Sequence, residues 1–291
     1  MWTFEHGCRD AAHAPLIGAA CLRGLSGTLA ILRDFPHGPL AVPLAELRRL
    51  FRGKAEGHVI AVRLRLAAIV AREWIEARPW SSEGGSQAGD ERTYWSGRLS
   101  AEISSWNAIV DRYLRWMDML ADPSDAFIRG LGADAVRLRR RALRTAPSLA
   151  ALARGNCTPV DSLLALRNSA QLSPAHLAWL SQLASAFGEA RSRAAESLER
   201  LESLSAQAAR VAAAIDMRFL YDAGRRLFAV GYAVGGPVEF TSHYDLLASE
   251  CRLASLTAVA KGDVPAEHWL ALGRPRAPSA SGPVLLSWSG T

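Results

Sequence analysis

The sequence predicts a mainly α protein with a small β-hairpin toward its C-terminal end. Three observations carry this. Helix formers dominate a chain of 291 residues that is 49% apolar and 21% charged. Apolar positions recur at helical spacing over most of its length. The texture changes to short paired strand-like runs only after Asp216. A mean hydropathy of +0.04 fits a core-forming chain rather than a disordered one, and the length suits one large domain or two modest ones.

Taken in order, residues 1–57 are broken by Gly and Pro and predict only a short helix in "PLAELRRLF". A stronger helix runs from His58 to Arg78, where Pro79 cannot continue it. "PWSSEGGSQAGDE" (79–91) is small and polar and reads as a loop. Leu99, Ile103, Trp106, Ile109, Val110, Tyr113, Leu114, Met117 and Leu120 then share a helical stripe that ends near Asp122-Pro123. Such an aromatic stripe can line a sugar site, but a core stripe is the simpler reading. "RLRRRALR" (137–144) is the densest positive run and reads as a solvated helix face.

Thr158-Pro159-Val160-Asp161 has the chemistry of a helix start, with Thr158 as cap and Pro159 in the first turn. Ser173-Pro174 repeats that logic before "AHLAWLSQLASAF". A separate long amphipathic helix is expected from about Arg191 to Ile215, carrying Leu198, Leu201, Leu204, Ala208, Val211 and Ile215. Its heptad-like stretch is too short to argue a coiled coil. Past Asp216, "RFLY" and "RLFAVGY" flank "DAGR", where Asp222 and Gly224 supply turn chemistry for a hairpin at 217–232. Ser242 is expected to cap a helix with Asp245 in its first turn. Lys261, Gly262 and Pro265 close that helix, and "GPVLLSWSGT" starts a further apolar element.

Composition excludes several functions. The formal charge is +6, but only Lys54 and Lys261 are lysines. Abundant Arg beside abundant Ala and Leu follows base composition, so the basic balance does not argue for nucleic acid. Cys8, Cys21, Cys157 and Cys251 lie far apart, without the spacing of a disulfide framework or a zinc site. His243 and His268 have no ligand set nearby, so no metal is expected, and no phosphate loop, dinucleotide fingerprint or nucleophile elbow implies a cofactor. The apolar stretch "APLIGAACLRGLSGTLAIL" holds Arg23 and three glycines, so no membrane span or secretory signal is expected.

The strings "RFLYD..RRLFAVGY", "YDLLASE.RLAS", "AKGDVP", "HWLALGR" and "LLSWSGT" recur here in order. In them the last 75 or so residues resemble the middle region of bacterial cyclic β-1,2-glucan synthases, where a glucoamylase-like α/α-toroid begins. Helical texture extends the likeness faintly back to Thr158; residues 1–157 match by no motif. The family usually has Asn at the position of Ala233, Tyr at that of His243 and Ala at that of Cys251. The resemblance implies a helical bundle followed by a hairpin and the first elements of an incomplete toroid. It divides the chain into 1–157, a helical linker segment 158–215, and a truncated toroid start at 216–291.

What the resemblance implies about function follows. Those enzymes resemble a relay in which a membrane-embedded synthase elongates β-1,2-glucan, the middle domain cyclises it by transglycosylation, and a phosphorylase-like domain trims. This chain then stands as a cytoplasmic fragment of an inner-membrane enzyme, inactive alone. Its partners are β-1,2-glucan, through the full-length enzyme, and the other domains of the same synthase. Glycosyl transfer needs two convergent carboxylates. Asp245 and Glu250, five apart on one expected helix, diverge by about 140° and are read as structural, in a polar network with Arg226 and Arg252. No catalytic residue is therefore expected. Tyr244, Trp269 and Trp288 are the candidates for stacking on glucan, with core packing as the plainer role of each Trp. Leu285, Leu286 and Trp288 are expected to be exposed, with one face of the helix before them. The alternatives are a non-catalytic helical spacer or docking module, or a decayed gene product.

Overall fold

The computed structural model describes residues 2–33, 41–76, 87–168, 172–231, 235, 242–247 and 249–286. Its contacts divide the chain into two compact units, Phe4–Ser205 and Ala206–Thr291, the latter taking in Met1–Thr3. The architecture is mainly α, as expected, with two small antiparallel hairpins.

Among the described residues, eleven α-helices run up to residue 214: α1 (Trp2–His13), α2 (Ala19–Leu32), α3 (Ala41–Phe51), α4 (Gly57–Glu76), α5 (Gln87–Tyr113), α6 (Trp116–Ala121), α7 (Asp125–Arg129), α8 (Ala135–Arg144), α9 (Leu149–Arg154), α10 (Thr158–Ala165) and α11 (Pro174–Ala214). In the first unit α4 is central, packing against α3, α5, α6 and α8, while α2 lies on α3 and α5. One contiguous core joins them, with Leu25, Leu47, Leu64, Leu99, Ile103, Leu114, Trp116 and Phe187 fully buried. The stripe from Leu99 to Leu120 is therefore core and lines no sugar site.

Several expectations are corrected here. The region before residue 57 holds two further helices. In α2, Cys21, Leu22, Leu25, Leu29 and Leu32 are buried along one face, and that burial outweighs the roughly 1 kcal/mol each that Gly24 and Gly27 cost. Residues 87–91 are helical, not loop; the rest of that expected loop lies outside the described residues. The helix expected to reach Asp122 breaks after Tyr113, because Trp116 turns inward. Its indole N–H donates to the Tyr113 carbonyl at 2.8 Å, and its ring meets Phe187 edge-on at 5.2 Å. The cap before α10 is Cys157 rather than Thr158; Asp161 reaches back to accept from the Cys157 N–H at 3.0 Å. Ser173 does cap α11, accepting from the His176 N–H at 3.3 Å. The two helices expected after it are one helix of 41 residues, because Gly188 meets no obstacle and is simply tolerated.

The positive run on α8 is a paired helix face. Arg139 reaches Asp125 at 2.5 Å and the Pro123 carbonyl at 2.6 Å, Arg137 pairs with Asp134, and Arg144 pairs with Glu56. Among the described residues no helix is long and apolar enough to cross a membrane.

In the second unit a 3₁₀ turn, Arg218–Leu220, replaces the first expected strand run. It leads into β1 (Tyr221–Asp222), which pairs with β2 (Leu227–Phe228) in the register Tyr221↔Phe228 and Asp222↔Leu227. Helices α12 (Ser249–Lys261) and α13 (Glu267–Ala271) follow, then a second hairpin of β3 (Arg276–Ala277) with β4 (Val284–Leu285). Sequence reading did not foresee that second pairing. The C-terminal end of α12 closes as expected. Gly262 sits at φ +77°, and the Asp263 N–H returns to the Ala258 carbonyl at 2.9 Å, a six-residue closure that a left-handed glycine allows.

Candidate functional site

The resemblance points to the second unit, and its polar centre is built from the turn outward. Between β1 and β2, Asp222 Oδ1 accepts the N–H groups of Gly224 at 2.9 Å and Arg225 at 3.1 Å, an Asx-type arrangement that fixes the turn. The left-handed residue is Arg226, at φ +60°, not Gly224. The other oxygen of Asp222 faces His243 Nε2 at 3.0 Å. The Arg225 N–H, followed by the His243 ring and the Gly224 N–H, holds the Asp222 carboxyl below the usual carboxylate range, against some desolvation. His243 is also bridged by its backbone to Ala229, so the residue standing where the resembled family has Tyr is tied to the hairpin twice.

The left-handed turn at Arg226 aims its carbonyl inward. His268, on α13 and fully buried, has Nδ1 at 2.9 Å from that carbonyl and Nε2 at 2.8 Å from Ser255 Oγ. A carbonyl only accepts, so Nδ1 carries the proton and donates. In the neutral ring Nε2 then accepts from the Ser255 hydroxyl. Ser255 Oγ lies 3.4 Å from Cys251 Sγ and accepts the thiol's weak donation. The ring of His268 meets Phe228 at 4.4 Å and Tyr221 at 5.8 Å, edge-on in both cases. This chain of Cys251, Ser255, His268 and the Arg226 carbonyl ties α12, α13 and the hairpin together. Cys251, Ser255 and His268 are all sealed from solvent, so the chain holds structure rather than a substrate.

The sequence candidates fall around this centre. Asp245 is not in a helix, because α12 begins only at Ser249. It is buried, accepts from the Leu247 N–H at 2.9 Å, and lies in a parallel bridge to Gly273, with the Leu246 N–H on the Gly273 carbonyl at 3.0 Å. The expected 140° separation from Glu250 on one helix therefore does not apply, and the side chain of Glu250 lies outside the described residues. Arg226 contributes its carbonyl, its side chain being exposed, and Arg252 is exposed on α12. Neither arginine makes a side-chain ion pair among the described residues. Tyr244 and Trp269 are both half-buried and both pack against the small cluster of Cys251 and Leu272. Trp288 lies outside the described residues. Leu285 and Leu286 are 40% and 44% exposed. Neither the His268–Ser255 pair nor the Asp222–His243 pair is legible in the sequence, because their partners stand 13 and 21 positions apart on different elements.

The arrangement offers little reactive chemistry. All four cysteines are buried and none forms a disulfide. Burial, then the nearby Asp161, pushes the Cys157 thiol up to about 11, far from a thiolate nucleophile. No group of three metal-ligating side chains occurs among the described residues.

No family model matches the chain. Over 93 residues, 32% of this chain, the sequence is 47% identical to the cyclic beta-(1,2)-glucan synthase NdvB of Rhizobium meliloti (strain 1021), and the match covers 3% of that protein's length. The chain is thus similar in part to a cyclic β-1,2-glucan synthase.

Proposed function

We propose that the second unit is the counterpart of the segment that leads into the cyclising, glucoamylase-like domain of cyclic β-1,2-glucan synthases. The observation that carries this is the 47% identity over 93 residues; the five strings between Arg218 and Thr291 support placing the match there. In this reading the unit is the opening part of a transglycosylating domain and works only within a larger enzyme, on the cytoplasmic face of the inner membrane. Residues 158–205 share the core of the first unit instead of linking two modules, and that unit as a whole acts as a helical module that docks against the other domains. Tyr244 and Trp269 offer half-buried aromatic faces to β-1,2-glucan. The chain alone performs no cyclisation, a reading supported by its acids: Asp222 and Asp245 are spent on turns and bridges.

The test is titration of the purified chain with linear β-1,2-glucan, watched by tryptophan fluorescence, beside linear β-1,3-glucan as control. Selective binding of the β-1,2 polymer is expected, weakened roughly tenfold by Trp269→Ala, the loss of about 1.4 kcal/mol. Equal response to both polymers, or indifference to Trp269→Ala and Tyr244→Ala, overturns the assignment of these residues. Cyclic products in the mixture overturn the reading of the chain as inactive alone.

A further inference from the structure

A cavity of about 680 Å³ opens in the first unit where four segments meet: the turn before α2, the start of α4, the end of α8 and the start of α10. Small-molecule sites have this size, roughly 300–1,000 Å³. Backbone contacts pin its walls together. Pro15 bridges to Ser148, and the Leu16 N–H donates to the Pro147 carbonyl at 2.9 Å. Gly57, at φ +46°, lets the start of α4 lie directly against the Leu143 and Arg144 carbonyls. The fold itself therefore sets the cavity's shape.

Its chemistry is divided. Ile17, Ile60, Trp116, Ala142 and Val160 line it and are all buried. The polar side chains that line it, Glu56, Arg141, Arg144, Thr145 and Asn156, are all exposed and make its rim. Glu56 and Arg144 pair at 3.2 Å and cancel. Near Cys157 stand Asp161 and Arg191, one charge of each sign. Arg141 makes no ion pair among the described residues, and the side chains of Thr145 and Asn156 make no hydrogen bond among them. The count leaves one unpaired guanidinium and two uncharged donors above an apolar interior. A polyol would strand its hydroxyls against those apolar walls, and a cation would meet Arg141. A single carboxylate on a hydrocarbon body satisfies both regions, because a guanidinium fork matches a planar carboxylate.

We propose that this cavity binds a small apolar carboxylic acid. Its hydrocarbon body lies against Ile17, Ile60, Trp116 and Val160. Its carboxylate accepts from Arg141, with Thr145 and Asn156 as further donors. The site lies wholly within the first unit and uses no residue of the glucan reading.

The test is isothermal titration calorimetry of the full chain with monomeric decanoate, beside decanol, decyltrimethylammonium and acetate. Decanoate is expected to bind at least fivefold tighter than the alcohol or the ammonium. Acetate, which has no apolar body, should not bind at the same concentrations. Arg141→Gln, at an exposed position, should remove the preference for the acid while decanol binds as before. Ala151→Trp sets a large side chain on the cavity wall at a half-buried position and should weaken decanoate at least tenfold. Thr145→Trp, at the exposed rim, makes the same test if Ala151→Trp lowers the melting temperature. Failure of decanoate to bind, equal affinity for decanol, or a preference that survives Arg141→Gln overturns the proposal. Decanoate binding that neither tryptophan weakens puts the acid elsewhere on the chain, and overturns it equally.

Discussion

His268 joins α12, α13 and the hairpin of the second unit, and its replacement by leucine tests how that unit is held. The volumes are close, so His268→Leu keeps most of the packing on Phe228 and Tyr221 while deleting both ring hydrogen bonds. The Arg226 carbonyl loses a donor at 2.9 Å, and the fully buried Ser255 hydroxyl loses its acceptor at 2.8 Å. The stranded buried hydroxyl costs about 1–3 kcal/mol and the part-buried carbonyl adds less, so the variant should lose roughly 1–4 kcal/mol. A whole domain is stable by only about 5–15 kcal/mol, and this unit's cores are small, centred on Phe228, Ala258 and Val264 and on Cys251 and Leu272. The variant should therefore melt the second unit well before the first. Hydrogen exchange read by mass spectrometry, peptide by peptide, separates the two: peptides from 249–272 lose protection while those from 95–165 keep it. Ser255→Ala removes the stranded hydroxyl, so His268→Leu/Ser255→Ala should cost less than the sum of the single changes by about 1 kcal/mol or more, the signature of a coupled pair. If His268→Leu costs under about 0.5 kcal/mol, the size of an ordinary surface change, or if the costs simply add, the buried chain does not hold the unit together.

Two further perturbations test other parts of the structure. At Gly57, φ is +46° and an added Cβ would stand 2.0 Å from the Leu143 carbonyl oxygen; Gly57→Ala should cost roughly 2–5 kcal/mol from left-handed strain and backbone crowding together, read by urea denaturation, whereas Arg226→Gly, relieving a left-handed residue in open space, should be neutral or stabilising by up to about 1 kcal/mol. Asp118 is held below the usual carboxylate range, because hydrogen bonds from His58 and Arg65 outweigh its desolvation; a depressed carboxyl stabilises above its unfolded value and loses that contribution as pH falls through the folded one, so Asp118→Asn should cost roughly 1 kcal/mol or less at neutral pH, and its gap to the unaltered chain should close as pH falls below 3.8.

The helical half of this fold was readable where one local signal decided the outcome. Ser173 with Pro174 started α11, and Lys261 with Gly262 ended α12, because caps act within a single turn. Reading failed where distant partners decided. Gly24 and Gly27 looked like breaks, yet five residues of α2 bury against a core assembled from α3 and α5. Trp116 broke a helix because Phe187, far along the chain, offered it an edge-on partner. Asp245 looked like a helix cap because Ser242 stood three residues before it. The bridge to Gly273 pulls that stretch into extended backbone instead, and nothing within a few residues of Asp245 announces Gly273.

The same distinction bears on what the resemblance can carry. The strings that carry the resemblance include Arg226, Phe228, Asp245, Ser255, His268 and Leu272. In the structure these residues form the left-handed turn, the hairpin's buried ring, the parallel bridge and the sealed hydrogen-bonded chain. Each acts by holding one short element to another, and His268 and Ser255 have no path to a ligand. A likeness resting on such residues bears on the scaffold, and bears on chemistry only through side chains that still face outward. Tyr244 and Trp269 are the pair that satisfy both conditions, anchored on Cys251 and Leu272 and half exposed. That is why the glucan titration is aimed at them, and why a scaffold that survives Trp269→Ala with unchanged stability but weakened polymer binding separates recognition from folding in this unit.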